Sequence, residues 1–118
     1  MSEAQDQESV IEWARYQRRN MPCLDLLEGS MNGVKLNIGQ AVKAKKQGMI
    51  AGMPDLQLHV ARGVYHALYI ELKYGKNKCS PVQLYVHARL RGEGNKVEVC
   101  WGAEQAILAI KAYIEDRE

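Results

Sequence analysis

At 118 residues the chain can build one hydrophobic core but not two, so residues 1–118 are read as a single domain. Its 47% hydrophobic and 25% charged residues exclude a disordered tail, and with no apolar run near the ~20 residues of a membrane span and a polar, non-signal start (MSEAQDQES), a cytoplasmic, non-secreted protein is expected. The net charge of +2 is small but unevenly laid out, with four acids and no base in the first dozen residues and clustered bases afterwards.

Residues 3–19 read as a helix, with Ser2 as N-cap and Gln5 three residues on, as in a capping box. Acids fill its first half and Arg15, Arg18 and Arg19 its end, as the helix dipole prefers. Asn20-Met21-Pro22 stops it. Its apolar stripe is Val10, Ile11 and Ala14, and steps of four back from Ile11 place Gln7 and Glu3 on the same face. Glu3 is therefore the acid expected to turn inward, while Glu8 and Glu12 join Arg15 and Arg19 in a solvated salt-bridge face. Residues 23–28 (CLDLLE) are expected as a short strand, followed by a turn over 29–33. A basic helix over 38–47 carries Lys43, Lys45 and Lys46 and ends at Gly48. In the loop 49–52, Ala51 and Gly52 permit close backbone approach.

From Gly52 to Lys73 the pattern is a β-hairpin. Met53-Pro54-Asp55 opens on alternating Leu56, Leu58 and Val60, a turn falls at Ala61-Arg62-Gly63, and a second apolar strand ends in Glu71-Leu72-Lys73. Strand side chains two apart share a face, so Glu71 and Lys73 point one way and Ile70 and Leu72 the other, buried way. Pairing of the strands brings Asp55 beside Glu71 and Lys73 at one end of the sheet. A basic loop with Lys76 and Lys78 follows. Ser80-Pro81 then starts a helix, with Ser as N-cap and Pro in the first turn, that runs to Gly92 with Leu84, His87, Ala88 and Arg91 among its faces. Residues 96–101 (KVEVCW) form an alternating strand with Val97, Val99 and Trp101 on one face. Gly102 introduces a last helix with the stripe Ala106, Ile107, Ile110, Tyr113 and Ile114. The strand-helix-strand crossover over 64–101 favours a parallel pair. An α/β fold with a small mixed sheet flanked by helices is expected.

Roughly one (Asp/Glu)-x-Lys triplet arises by chance in a chain of this composition, so Glu71-Leu72-Lys73 is weak alone. A Pro-Asp pair is rarer, on the order of a tenth per chain, and the two together at the ends of paired strands are stronger still. An ordinary Glu71–Lys73 salt bridge leaves Asp55 unexplained, because carboxylates gathered at a sheet end repel unless a cation lies between them. Hard divalent cations choose such oxygens, so the two carboxylates with the ammonium can hold a divalent cation and steady a phosphate. Cys23, Cys79 and Cys100 lack zinc-type spacing and are read as reduced packing thiols. His59, His66 and His87 have no evident place in this chemistry, and His59 and His66 are assigned surface or packing roles.

These residues resemble a known family. Ala51-Gly52-Met53-Pro54-Asp55-Leu56, Ile70-Glu71-Leu72-Lys73 and Ser80-Pro81-Val82-Gln83 together look like the VRR-NUC branch of the PD-(D/E)xK nucleases. Asn32-Gly33, the basic helix before Gly48 and the last strand and helix fit as well, so the likeness runs from about Glu3 to Tyr113. It implies a restriction-endonuclease-like core and a DNA endonuclease dependent on Mg²⁺ or Mn²⁺. Asp55 and Glu71 match the family's metal-binding carboxylates, with the carbonyl of Leu72 as a further ligand, and Lys73 matches its catalytic lysine. A first-helix glutamate with a glutamine one turn on matches Glu3 and Gln7, with Glu8 as the alternative. Gln83 matches a position near the active centre. Lys43, Lys45, Lys46, Lys76 and Lys78 are the expected DNA contacts. Short standalone members are mostly carried by phages or prophages and resemble Holliday-junction resolvases, typically homodimers. Larger relatives act as monomers on flaps. The resemblance thus favours a homodimer acting on branched or junction DNA in a bacterial or phage-infected cell. The alternatives are a flap or nicking endonuclease of repair or replication, a non-catalytic nucleic-acid-binding module, and a structural protein in which Glu71 and Lys73 form only a salt bridge.

Overall fold

In the computed structural model, residues 2–30 and 36–116 are described. The motif Asn32-Gly33 lies outside them. Helix α1 (Glu3–Gln17) begins where Ser2 Oγ accepts from the Gln5 backbone N–H at 3.2 Å. Its buried side is Asp6, Val10 and Ala14. All three residues of the expected stripe face the core, Ile11 half-buried, but the deepest line runs through Val10, and a step of four back from Val10 reaches Asp6. Asp6 is the acid that α1 buries, and Glu3 is only half-buried. The expected salt-bridge face does not form among the described residues: Glu8, Glu12, Arg15 and Arg19 are exposed, and Arg19 instead lies over the Tyr16 ring at 4.8 Å.

Residues 23–28 are not a strand throughout. A 3-10 turn spans Pro22–Leu26, and strand β1 is only Leu27–Gly29. Pro22 supplies the reason, since its fixed φ suits the first position of a helical turn and it brings no N–H to a ladder. The turn also sends Leu24 into the core, at 3% exposure. Helix α2 (Ile38–Lys46) opens on a reciprocal capping box between Asn37 and Gln40, with bonds of 2.7 and 3.0 Å.

Strands β2 (Leu56–Leu58), β3 (Leu68–Lys73) and β4 (Lys96–Trp101) complete a sheet in the order β1-β2-β3-β4. The β1–β2 and β2–β3 pairs are antiparallel and β3–β4 is parallel, as the crossover favours. The hairpin turn falls at Gly63-Val64, beyond the expected Ala61-Arg62-Gly63 and sharing only Gly63 with it. Arg62 and Tyr65 exchange backbone bonds of 3.1 and 2.9 Å across Gly63-Val64, and Gly63 takes a φ of +56° that only glycine adopts readily.

Leu56, Leu58, Leu68, Ile70, Leu72 and Cys100 pack with Val10 and Ala14 of α1 and with Ala106, Ile110, Tyr113 and Ile114 of α4 (Ala103–Glu115). Each aliphatic side chain so buried contributes about 1.5–3 kcal/mol. Tyr113 closes this layer by donating its hydroxyl to the Val60 carbonyl at 2.6 Å. Helix α3 (Pro81–Gly92) covers the other face of β3, so all six residues of that strand are buried, Glu71 and Lys73 included. Burial on both faces was not expected for the face carrying those charges. It sets the electrostatics of the site.

Candidate active site

Asp55 sits where three constraints meet. The chain reaches it through Gly52, whose φ is +87° and whose missing side chain would lie 2.8 Å from Val82 Cγ1 at the start of α3. Pro54 is buried, and the Asp55 carbonyl accepts from the Ser30 N–H at 2.7 Å. Asp55 Oδ2 then accepts from the backbone N–H of Leu72 at 2.7 Å, which fixes the carboxyl against β3. Leu56 pairs with Ile70, so one further step of the register sets Asp55 opposite Glu71. Asp55, Glu71 and Lys73 are 8%, 1% and 6% exposed. The hairpin gathers them as the alternation requires.

The Ser-Pro-x-Gln run is a helix start tied to this cluster. Ser80 Oγ accepts from the Gln83 N–H at 3.2 Å, and Gln83 Oε1 accepts from the Ser80 N–H at 2.9 Å, a complete capping box. The same Oε1 accepts from Lys73 Nζ at 2.9 Å, while Gln83 Nε2 stands 3.5 Å from Glu71 Oε2. One turn on, His87 Nε2 meets Glu71 Oε1 at 3.1 Å with both side chains almost fully buried. His87 was missed by the sequence reasoning. The available signal was spacing, since His87 follows Gln83 by four residues and so lies on its helical face. The residues named with it divide accordingly: Leu84, Ala88 and Arg91 are exposed. His59 and His66 keep peripheral roles, the first pairing with Glu28 at 2.6 Å and the second packing over Gly94.

Glu3 lies at the rim, accepting from Asn77 Nδ2 at 3.2 Å, whereas Glu8 is exposed. The loop that holds Asn77 also receives the Trp101 indole N–H on its Asn77 carbonyl at 3.3 Å. Lys76 and Lys78 are exposed on this loop, and Lys43, Lys45 and Lys46 are exposed on α2. Cys100 is buried in the core, and Cys23 and Cys79 are half-buried free thiols.

Burial pushes the Glu71 carboxyl up to about 9, helped by its hydrogen bond with Asp55 and the charges of Asp55 and Glu3, while Lys73 pulls the other way. Burial, then the charges of Arg91 and Lys73, lowers His87 against a smaller opposing pull from Asp55. Near neutral pH the His87–Glu71 contact is accordingly a hydrogen bond between uncharged groups. A folded-state value above the unfolded one means the native protein holds a proton that the unfolded chain releases. Stability of the metal-free protein should therefore fall as pH rises from about 4.5 toward about 9. Thermal unfolding in a chelator at pH 5.5 and 8.5 (chosen to lie roughly within that window) checks it. Glu71→Gln should flatten the difference, and an equally steep fall in that variant would refute the cause.

Two carboxyls held together at such a cost are a donor set that a hard divalent cation relieves. Among the described residues no three His, Cys, Asp or Glu side chains form a ready cage. The donors on hand are the Asp55 and Glu71 carboxyls with the neighbouring Leu72 carbonyl and Glu3 at the rim. A small protein set of this kind could hold a divalent cation that keeps several of its waters.

A family model for the VRR-NUC domain matches residues 1–104. A solved structure described as a VRR_NUC domain protein is similar with a TM-score of 0.81 and 31% identity, over 100% of this chain and 93% of that one. Its fold, like this one, is restriction-endonuclease-like. No curated protein matches the chain.

Proposed function

The chain belongs to the VRR-NUC family, and we propose that it is a divalent-metal-dependent DNA endonuclease that acts on branched DNA as a homodimer. The domain implies a nuclease of the PD-(D/E)xK type with DNA as substrate, and such nucleases generally use divalent metals. What carries the finer reading is the buried set of Asp55, Glu71 and Lys73 drawn together at one end of the hairpin.

In this reading residues 1–118 form one nuclease domain. Asp55, Glu71 and the Leu72 carbonyl hold Mg²⁺ or Mn²⁺, with Glu3 completing the set from α1. The ion supplies Lewis acidity and a water of lowered pKa. Lys73, anchored by Gln83, faces the reacting phosphate and stabilises the negative charge that grows in the transition state. Gln83 links that lysine to Glu71, so the two move as a unit with the start of α3. Lys43, Lys45, Lys46, Lys76 and Lys78 contact DNA phosphates, which makes binding salt-dependent and sensitive to DNA shape more than to base identity. Among its described residues one subunit has one such carboxyl pair, and in this reading it cuts one strand at a time. A two-fold dimer would present two sites to a four-way junction, whose resolution needs two opposed cuts. The likeness to short standalone members supports the cytoplasm of a bacterial or phage-infected cell as the setting of this activity.

The test is cleavage of a four-way junction, a flap and plain duplex side by side with Mg²⁺ and Mn²⁺, alongside light scattering. Paired, symmetry-related nicks on the junction and a dimer mass are expected. A monomer that cuts flaps and ignores junctions would overturn the junction reading and leave the nuclease standing. No metal-stimulated cleavage of any of the three would reduce the protein to a nucleic-acid-binding module.

A further inference from the structure

We infer that His87 is a positioning residue that confines Glu71 to a single metal-facing oxygen and so biases the site toward a small octahedral cation over Ca²⁺. The inference rests on the metal site proposed above. Each of its two carboxyls has one oxygen already engaged by the protein. Asp55 Oδ2 is held by the Leu72 N–H at 2.7 Å, and Glu71 Oε1 is held by His87 Nε2 at 3.1 Å. Glu71 Oε2 stands 3.5 Å from Gln83 Nε2, the outer limit of a hydrogen bond, and the carboxyl's further bond to Asp55 lasts only while the pair shares a proton, so Oε2 is the oxygen that yields to an arriving ion.

The tautomer of His87 follows from its surroundings. Its Nδ1 is buried without a hydrogen-bond partner among the described residues. A hydrogen on Nδ1 would be an orphaned buried donor, whereas a hydrogen on Nε2 is satisfied by Glu71. His87 therefore donates to Oε1. Chelation of one ion by both Glu71 oxygens would break that bond and leave the Nε2–H stranded in the interior, where an unmade hydrogen bond is expensive. Ca²⁺ favours six to eight oxygens and bidentate carboxylates, while Mg²⁺ and Mn²⁺ accept monodentate ones with water in the remaining positions. A clamp that forbids bidentate Glu71 acts against Ca²⁺ specifically. It also holds Oε1 in place, so less of the carboxyl has to be ordered when an ion arrives.

Calorimetric titration of Mn²⁺ and of Ca²⁺ into the full chain tests this without reference to cleavage. His87→Met, similar in length but without a donor, should weaken Mn²⁺ binding by about 10- to 100-fold, as loss of an outer-shell partner does. It should also raise Ca²⁺ affinity relative to Mn²⁺. His87→Gln returns an N–H to the position of Nε2 and should recover most of both losses, which a purely packing role would not produce. An unchanged Mn²⁺ affinity and Ca²⁺/Mn²⁺ ratio in His87→Met overturns the inference. Glu71→Gln separates the two levels of argument. If it loses Mn²⁺ while His87→Met does not, the metal site stands and only the clamp fails; if it binds Mn²⁺ like the parent, the metal site itself is wrong. Nitrogen-15 NMR of the unsubstituted protein gives a reading independent of any variant's folding. An Nε2–H tautomer at His87 whose resonance shifts on adding Mg²⁺ is expected, and an Nδ1–H tautomer or a ring indifferent to Mg²⁺ overturns the clamp.

Discussion

Asp55→Ala should abolish Mn²⁺ binding and DNA cleavage together, and Asp55→Asn should do the same while folding normally. The two variants separate two jobs of one side chain. Asp55 Oδ2 satisfies the Leu72 N–H in the buried centre of β3, and alanine leaves that donor unpaired at a cost of about 1–3 kcal/mol. Asparagine keeps an acceptor for Leu72 and removes the charge. A metal effect common to both variants is therefore electrostatic, and a stability loss confined to alanine is structural. Removing the Asp55 charge also takes away one of the causes that raise Glu71, so Glu71 should ionise at lower pH in either variant. An ionised Glu71 without its partner still offers too few protein oxygens to fix an ion that holds its waters tightly. Isothermal titration of Mn²⁺, a cleavage assay and a thermal melt on each variant decide the matter. Undiminished Mn²⁺ binding in Asp55→Asn would remove Asp55 from the proposed ligand set.

Much of this arrangement was legible because it is local. The Ser80-Pro81-x-Gln83 start obeys capping rules that operate within one turn, and the structure contains that box in full. The hairpin was legible from alternation, and antiparallel pairing of its two strands then places Asp55 near Glu71. The failures are long-range or turn on a small angular choice. His87 looks like any helical histidine until β3, 16 residues away in sequence, is packed against α3. The stripe of α1 is deepest at Val10 and only half-buried at Ile11, one residue around the helix, which buries Asp6 and leaves Glu3 at the rim. Residues 23–26 have the apolar content of a strand, but Pro22 determines the local backbone first. The exposed Glu8, Glu12, Arg15 and Arg19 show the limit of charge pairing as a guide. Surface ion pairs gain little against side-chain entropy, so a favourable spacing does not oblige them to form.

Lys73→Ala should leave Mn²⁺ binding largely intact and slow the chemical step by about 100- to 1,000-fold, the usual cost of removing one donor aimed at transition-state charge. A lysine is no ligand for a cation, so its removal takes nothing from the donor set. Its effect on binding is indirect: Lys73 pulls Glu71 toward ionisation, and without it Glu71 should hold its proton more tightly and Mn²⁺ affinity should fall modestly, most at low pH. The rate effect has a different origin. Lys73 Nζ is held by Gln83 Oε1 at 2.9 Å in a site only 6% exposed, so it is positioned beforehand and works in a medium where charge is poorly screened. Stabilisation that exists only in the transition state lowers the barrier without tightening the substrate complex. Single-turnover cleavage at saturating enzyme, compared with DNA affinity measured in Ca²⁺, separates the two. The expected result is a large fall in rate with DNA affinity nearly unchanged. A variant that cleaves at close to the parental single-turnover rate would make Lys73 a structural partner of Gln83, and the source of transition-state stabilisation would then have to be sought among the other donors around Glu71.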